Sequence, residues 1–420
     1  MTNVLDELMW RGLVAQTTDV DALRAALDDG PVTYYCGFDP TAASLHHGHL
    51  VQLVVLRHLQ LAGHKPLALV GGATGLIGDP RMSGERVLND PATVAEWVDR
   101  LRTQISGFLS FEGENAAQMV NNLDWAGDLR ALDFLRDVGK HFRLGTMLAK
   151  ETVARRLNSD EGISFTEFSY QILQGMDFLE LNRRHGCTLQ TGGNDQWGNL
   201  LAGVELIRKA DKRPVHALTT PLITKADGTK FGKSEGGAVW LAPDMMSPYA
   251  FYQFWVNADD ADVVGWLKIF TFRTREEIDE LAAAVQDRPQ AREAQRVLAA
   301  DVTTLVHGAE ATAQAIAASQ ALFGRGDLAS IDAATLASAV VGLPSAEGKA
   351  GDQVADLLAA TGLVQGRNAA RRAIAEGGAY VNNAKVTDQD AVVSAADALG
   401  DGYVLLRRGK RHLAVVRLGA

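Results

Sequence analysis

Cysteine is scarce. Cys36 and Cys187 are the two in 420 residues. That excludes a disulfide framework, and no Cys/His grouping has structural-zinc spacing. No uninterrupted apolar run approaches the ~18 residues that suggest a membrane span. The opening MTNVLDELMW lacks the positive stretch and apolar core of a secretory signal. The expectation is a soluble cytoplasmic protein with no membrane partner and no protein-ligated metal. Basic residues are not in excess, since the net charge is −10. A chain coated in nucleic acid along its whole length is therefore disfavoured, but a local basic site is not. Internal repeats, low-complexity tracts and a Walker-type G-x-x-x-x-G-K-[ST] are also missing.

What is present suits a multidomain enzyme. The length exceeds what one core fills, so several domains are expected. Hydrophobic residues at 47% and charged residues at 22% give an ordinary globular balance. PVTYYCGF, then LVQLVVLRHLQLAG, then KPLALVGG read as strand, helix and strand of a parallel βαβ unit. We assign residues 1–225 to an α/β catalytic domain with a parallel sheet, carrying a helical insertion near 125–165. Residues 226–325 follow as a lysine-rich loop and an α-helical domain. Ser247 with Pro248 and Thr274 with Glu277 mark helix starts there. The Ala/Ser/Gly-rich stretch 326–350 reads as linker. Residues 351–420 form a small module with nine Lys/Arg against seven Asp/Glu, more basic than the rest.

Two constellations carry chemistry. His46 and His49, split by Gly48, sit where a strand gives way to a helix. Backbone N–H groups at such a start attract phosphate, and a glycine lets a flat ring lie against the backbone. The plain alternative is two surface histidines. Lys225, Lys230, Lys233 and Ser234 lie on a glycine-rich loop that can close over a triphosphate. The alternative there is a solvated turn. Tyr170, Gln174 and Asp177 fall at i, i+4 and i+7, one face of a helix. GGATGLIGDP has glycines without the G-x-G-x-x-G spacing, so nicotinamide binding is not inferred.

Together these segments resemble the HIGH and KMSKS signatures of class I aminoacyl-tRNA synthetases. YCGFDPTAASLHHGHL, GGATGLIGDP, YQILQGMD, TGGNDQWGN, KFGKS and SPYAFYQFW are similar to segments of bacterial tyrosyl-tRNA synthetases, in the same order. The sequence departs at His47, where Ile is commoner, and at Gly232, where the KMSKS pattern has Ser. It also lacks a lysine between Asp79 and Arg86, so a phosphate role there would fall to Arg81 or Arg86.

The resemblance implies a Rossmann-like catalytic domain, a helical domain and an α+β S4-like RNA-binding domain. It implies that tyrosine is activated with ATP to tyrosyl-adenylate and then transferred to tRNA(Tyr), with Mg²⁺ accompanying ATP. Tyr35 and Asp177 would hold the phenol; Tyr170, Gln174 and Asp79 the ammonium. Gln196 would lie near the carboxylate and Asp195 at the ribose. Thr41 and His46 would donate to phosphates, His49 would face the ribose side, and Lys230 and Lys233 would close over pyrophosphate. Gly37, Asp39, Gly48, Gly193 and Ser234 would complete the ATP site. Arg367, Arg371, Arg372, Arg407, Arg408, Lys410 and Arg411 would face tRNA. A homodimer through the 125–165 segment is implied. The alternatives are a tryptophanyl-tRNA synthetase, another HxGH nucleotidyltransferase, or a catalytically silent S4-type RNA-binding relative.

Overall fold

The computed structural model describes residues 3–81, 84–86, 88–229, 231–234, 237–324, 326–409 and 412–419, with Lys233 and Ser234 described by backbone alone. Lys230, Lys410 and Arg411 lie outside the described residues. The chain divides into two units. One is Met1–Ala242 with Asp259–Pro289; the other is Pro243–Ala258 with Gln290–Ala420.

The first unit is built on a six-stranded sheet in the order β1-β6-β5-β2-β3-β4. Its strands are β1 (Gln16–Thr17), β2 (Thr33–Phe38), β3 (Lys65–Val70), β4 (Gln118–Asn121), β5 (Leu189–Gly193) and β6 (His216–Thr220). All neighbours pair in parallel except β1 with β6. The central runs YYC and PLALV are buried, as a parallel sheet covered on both faces requires. The helix His47–Leu61 connects β2 to β3. From β2 the chain moves outward to β3 and β4 on one side, and β5 pairs on the other. That reversal is a topological switch point, where open α/β sheets receive ligands beyond the strand C-termini.

Between β4 and β5 the chain forms short helical pieces, including Leu123–Ala126, Leu144–Leu148 and Glu151–Leu157. Gly127 ends the first of them and Gly139 follows the turn Phe134–Val138, since a glycine costs about 1 kcal/mol in a helix interior. The helix Phe165–His185 then runs unbroken. The Ser164 side chain caps its start, and Gly186 at φ 64° ends it in the left-handed conformation.

The helices Asp260–Phe270 and Arg275–Asp287 belong to this first unit rather than to a separate helical domain. Two anchors explain this. Phe231 packs against Trp266 and Phe270, with ring centroids 4.6 and 5.7 Å away. The buried Arg11 guanidinium donates to the carbonyls of Lys268, Thr271 and Arg273. Thr274 and Glu277 form the expected reciprocal capping box.

In the second unit, Pro248–Val256 packs along Glu293–Leu322, and Ser247 caps the former with Pro248 in its first turn. Its five-stranded sheet runs in the order β11-β10-β12-β13-β9. The members are β9 (Ser345–Gly348), β10 (Ala379–Val381), β11 (Ala384–Lys385), β12 (Tyr403–Arg408) and β13 (His412–Leu418). The 326–350 stretch is therefore not simply linker. It holds the helix Ala333–Ala339, and β9 pairs in parallel with β13. β9 reads SAEG, without branched or aromatic residues, so composition hides a strand held by its partner's backbone.

Candidate functional site

The C-terminal ends of β2 and β5 bring the predicted residues together. Gly37 is exposed although it lies in the central strand between buried neighbours. The sheet is therefore open at that point. Gly193 and the exposed Asp195 border the same switch point from β5. Thr41 is exposed just past β2, its N–H bonded to the Asp39 carbonyl.

Below the opening is a polar pocket. Tyr35 is 1% exposed, and its hydroxyl is buried with no hydrogen-bond partner among the described residues. Asp177 accepts from Asn122 Nδ2 at 3.0 Å and Trp125 Nε1 at 2.9 Å. Burial pushes its carboxyl up to about 7 despite those bonds. The Asp177 charge, after burial itself, raises the Tyr35 hydroxyl's pKa well above its ordinary value. Gln174 Oε1, one turn before Asp177, is also buried and unpartnered among the described residues. A buried hydroxyl and a buried amide oxygen without protein partners are suited to polar partners from a ligand.

Above this floor the Tyr170 hydroxyl donates to Asp39 Oδ2 at 2.6 Å, and Thr74 donates to Asp39 Oδ1 at 2.6 Å. Tyr170 therefore orders Asp39 as well as facing the pocket. Asp79 accepts from Gln196 Nε2 at 3.0 Å and Asn199 Nδ2 at 3.3 Å, with Lys150 Nζ at 3.6 Å. Asp39, Asp79 and Asp177 all act electrostatically on Tyr170. Carboxylates grouped around one hydroxyl favour a cationic group. Asn122, Trp125, Asn199 and Lys150 were not read from the sequence. Only the fold brings them to the site. GGATGLIGDP has a packing role beside it: a Cβ at Gly71 would lie 2.1 Å from Asp39 Oδ1, and one at Gly75 2.6 Å from Pro40.

The two histidines cap their own helix. Gly48 N–H donates to His46 Nδ1 at 3.0 Å, and His46 N–H donates to His49 Nδ1 at 3.1 Å. The rings stack with centroids 4.0 Å apart. A backbone N–H always donates, so both Nδ1 atoms must be bare. In the neutral ring the proton then sits on Nε2. Burial lowers both histidines' proton affinity, His49's strongly, and keeps them neutral. The helix start thus differs from the expectation that its backbone is free for an anion. The N–H groups of His47, Gly48, His49 and Leu50 already go to Val239 O, His46 Nδ1, His46 O and His46 O. What remains to donate is two Nε2–H groups. Gly48 makes room for His46 itself, whose Cε1 would lie 2.9 Å from an added Cβ.

The lysine loop begins in a tight turn, with Lys225 N–H bonded to Thr229 O at 2.9 Å and Gly228 at φ 80°. Its later part pairs β7 (Lys233–Ser234) with β8 (Gly237–Ala238). Directly after it, Leu241 N–H donates to Leu45 O at 2.9 Å, so the backbone joins the two signature segments. Arg86, from the segment lacking a lysine, donates from Nε to Asp79 O at 2.6 Å.

Residues 27–324 match the model of the class I tRNA synthetases (W and Y). Residues 335–416 match the tyrosine--tRNA ligase SYY-like C-terminal domain. The tyrosine--tRNA ligase of Streptomyces coelicolor is 63% identical over 419 residues, covering 100% of this chain and 99% of the relative. The chain belongs to the tyrosine–tRNA ligase family. A C-terminally truncated mitochondrial tyrosyl-tRNA synthetase of Coccidioides posadasii superposes with TM-score 0.66 at 34% identity, over 75% of this chain and 91% of that one. Its Aspergillus nidulans counterpart gives TM-score 0.69 at 30% identity, over 75% and 92%. These relatives favour the tyrosine enzyme over the tryptophanyl and silent alternatives.

In this ligase's C-terminal domain, Arg367 and Arg372 are exposed on the helix Arg367–Ala375, and Arg408 is exposed on β12. Arg367 pairs with Asp356 at 3.2 Å, and Arg371 pairs with Asp390. Arg407 is different. It is 8% exposed, lies 3.9 Å over the Tyr380 ring and donates to Gly409 O. Both faces of β12 are covered from Val404 to Arg407, and the strand becomes exposed only at its last residue, Arg408, so the buried Arg407 guanidinium is a packing group.

Proposed function

We propose that this tyrosine–tRNA ligase forms tyrosyl-adenylate in the pocket at the β2/β5 switch point and charges tRNA(Tyr) from it. The observation that carries the reading is the buried Tyr35 hydroxyl, without a partner among the described residues and electrostatically coupled to the Asp177 carboxyl. A substrate phenol accepts from the first and donates to the second; a phenylalanine ring leaves the Tyr35 hydroxyl unpaired and gives Asp177 no donor beyond Asn122 and Trp125. Tyrosyl-tRNA synthetases are themselves the familiar example of such rejection, and its size is a known property of the family rather than a consequence drawn from this pocket. Asp79, Tyr170 and Gln174 take the substrate ammonium, displacing Lys150 from Asp79. Gln196 lies toward the carboxylate.

The substrate carboxylate attacks the α-phosphorus of ATP, and pyrophosphate leaves. A carboxylate needs no general base, so positioning and charge stabilisation do the work. His46 and His49 are neutral Nε2–H donors, His46 with Thr41 toward the phosphates and His49 toward the ribose side. Gly37, Asp39, Gly48 and Gly193 line the nucleotide site, and Asp195 accepts from its ribose. Lys230, Lys233 and Ser234 bind the leaving group. Mg²⁺ enters as part of the nucleotide substrate, held mainly by phosphate oxygens and water. The tRNA 3′-terminal ribose then attacks the adenylate carbonyl and releases AMP.

Arg367, Arg371, Arg372 and Arg408, with Lys410 and Arg411, contact tRNA phosphates; the inward-facing Arg407 does not. The enzyme acts in the cytoplasm. Among the described residues no helix is long and apolar enough to cross a membrane. It works as a homodimer through the 125–165 segment. Leu132, Leu135, Leu144 and Phe165 support this, being 79%, 56%, 66% and 74% exposed. Exposed apolar side chains concentrated in one segment are what a subunit interface would cover. A fully active monomer in sedimentation would refute the dimer. The central test is ATP–pyrophosphate exchange with tyrosine, phenylalanine and tryptophan supplied separately. Exchange with tyrosine alone is expected, and exchange with tryptophan would overturn the pocket assignment.

A further inference from the structure

The two departures from the signature patterns, His47 and Gly232, touch each other. A Cβ at Gly232 would fall 2.0 Å from His47 Cε1, 2.1 Å from Nε2 and 2.5 Å from Nδ1. The imidazole lies against the glycine where a side chain would begin. No residue with a Cβ fits there while the ring stays. Gly232 is also at φ 78°, the left-handed region.

The ring is held on its other sides. It is edge-on to Phe231, with centroids 5.0 Å apart and planes at 85°. Phe231 is 5% exposed and seated against Trp266 and Phe270. The His47 N–H donates to Val239 O at 2.9 Å, just beyond the loop. One residue of the helix start therefore meets the loop at Phe231, Gly232 and Val239. Gly232 lies in sequence between Lys230 and Lys233.

We propose that His47 is a positioning residue whose ring, laid on Gly232 and against Phe231, fixes the lysine loop relative to the His46/His49 pair. Gly232 is required because of that ring as well as its backbone angle. Burial, with the neighbouring His46, lowers His47 to about 4 despite hydrogen bonding to the Phe231 and Val239 backbone, so the ring packs there uncharged at neutral pH. The inference rests on the tyrosine–tRNA ligase reading, in which the loop serves ATP. It assigns His47 no contact with substrate.

The test is a cycle in the full-length enzyme: wild type, His47→Ala, Gly232→Ala, the double variant, and His47→Phe. Pyrophosphate exchange gives kcat and KM for ATP and for tyrosine, and circular dichroism gives Tm. His47→Ala is expected to lower kcat/KM for ATP about tenfold and leave KM for tyrosine unchanged. His47→Phe keeps a flat ring and should stay within about threefold of wild type. Gly232→Ala should lose about a hundredfold, and His47→Ala should recover about threefold of that loss, leaving the part owed to the backbone angle, a coupling expected of residues in contact. An equal Gly232→Ala deficit in both backgrounds would overturn the proposal. If Gly232→Ala does not fold, the two His47 variants decide. His47→Phe as poor as His47→Ala, or KM for tyrosine rising in step with that for ATP, would overturn it. A wild type inactive with tyrosine would instead fail the ligase reading.

Discussion

Tyr35→Phe removes one oxygen and should change stability and binding in opposite senses. The Tyr35 hydroxyl is buried without a protein partner among the described residues. Such a group costs about 1–3 kcal/mol in lost hydration. Deleting it relieves that cost at the expense of a void the size of one oxygen. A net gain of about 1 kcal/mol is expected, which in a unit of this size raises Tm by about 2–4 °C. The bound state changes the other way. The substrate phenol loses a neutral hydrogen bond worth about 0.5–1.5 kcal/mol, weakening tyrosine about three- to tenfold. Phenylalanine makes no such bond, so its kcat/KM should hold or rise, and discrimination should fall by about that factor. Exchange kinetics with both amino acids, and a calorimetric Tm taken without ligand, provide the assay. A variant with lower Tm and unchanged discrimination would refute the reasoning, since the hydroxyl would then serve the fold alone.

Asp177 predicts a pH dependence. Its folded carboxyl titrates at about 7 against an ordinary value of 3.8, raised by burial. Between those values the unfolded chain has released a proton that the folded chain keeps, so apo stability falls as pH rises through the window and levels off above it. Urea titrations from pH 4 to 8 should show that fall, and Asp177→Asn should flatten it. Tyrosine affinity should rise across pH 7 as the acceptor ionises, a trend absent from Asp177→Asn. Arg156 and Glu167 form a buried ion pair at 2.9 Å, and Arg156 also donates to the carbonyls of Gly84 and Gly162. Arg156→Met strands the Glu167 charge and should cost about 3–5 kcal/mol in urea unfolding. Arg372→Ala and Arg408→Ala should each raise KM for tRNA and reduce the salt slope by about one, leaving pyrophosphate exchange intact. Arg407→Ala should instead lower Tm, because it removes the guanidinium stacked on Tyr380.

Which parts of this molecule a reader of the sequence can recover follows from the range over which each feature is determined. The β2–helix–β3 unit, the Ser247–Pro248 start and the Thr274–Glu277 box depend on neighbours within a turn or a strand. Their residues announce them. The helix Phe165–His185 likewise presents Tyr170, Gln174 and Asp177 at helical spacing. What Asp177 meets is another matter. Asn122 and Trp125 precede it by 55 and 52 residues and reach it from beyond the end of β4. No periodicity links an asparagine there to a carboxylate on a later helix. The same holds for Lys150 at Asp79 and for the helices Asp260–Phe270 and Arg275–Asp287. Their place is set by Arg11 and Phe231 rather than by their own pattern. Arg407 shows the limit within a single strand. RRGKR reads as one basic cluster, but both faces of the strand are covered up to Arg407 and exposed from Arg408, and only the fold shows where that cover ends. Local chemistry thus names the reacting groups. Their charge states, tautomers and empty hydrogen-bond positions come from distant partners, and those are what make the pocket selective.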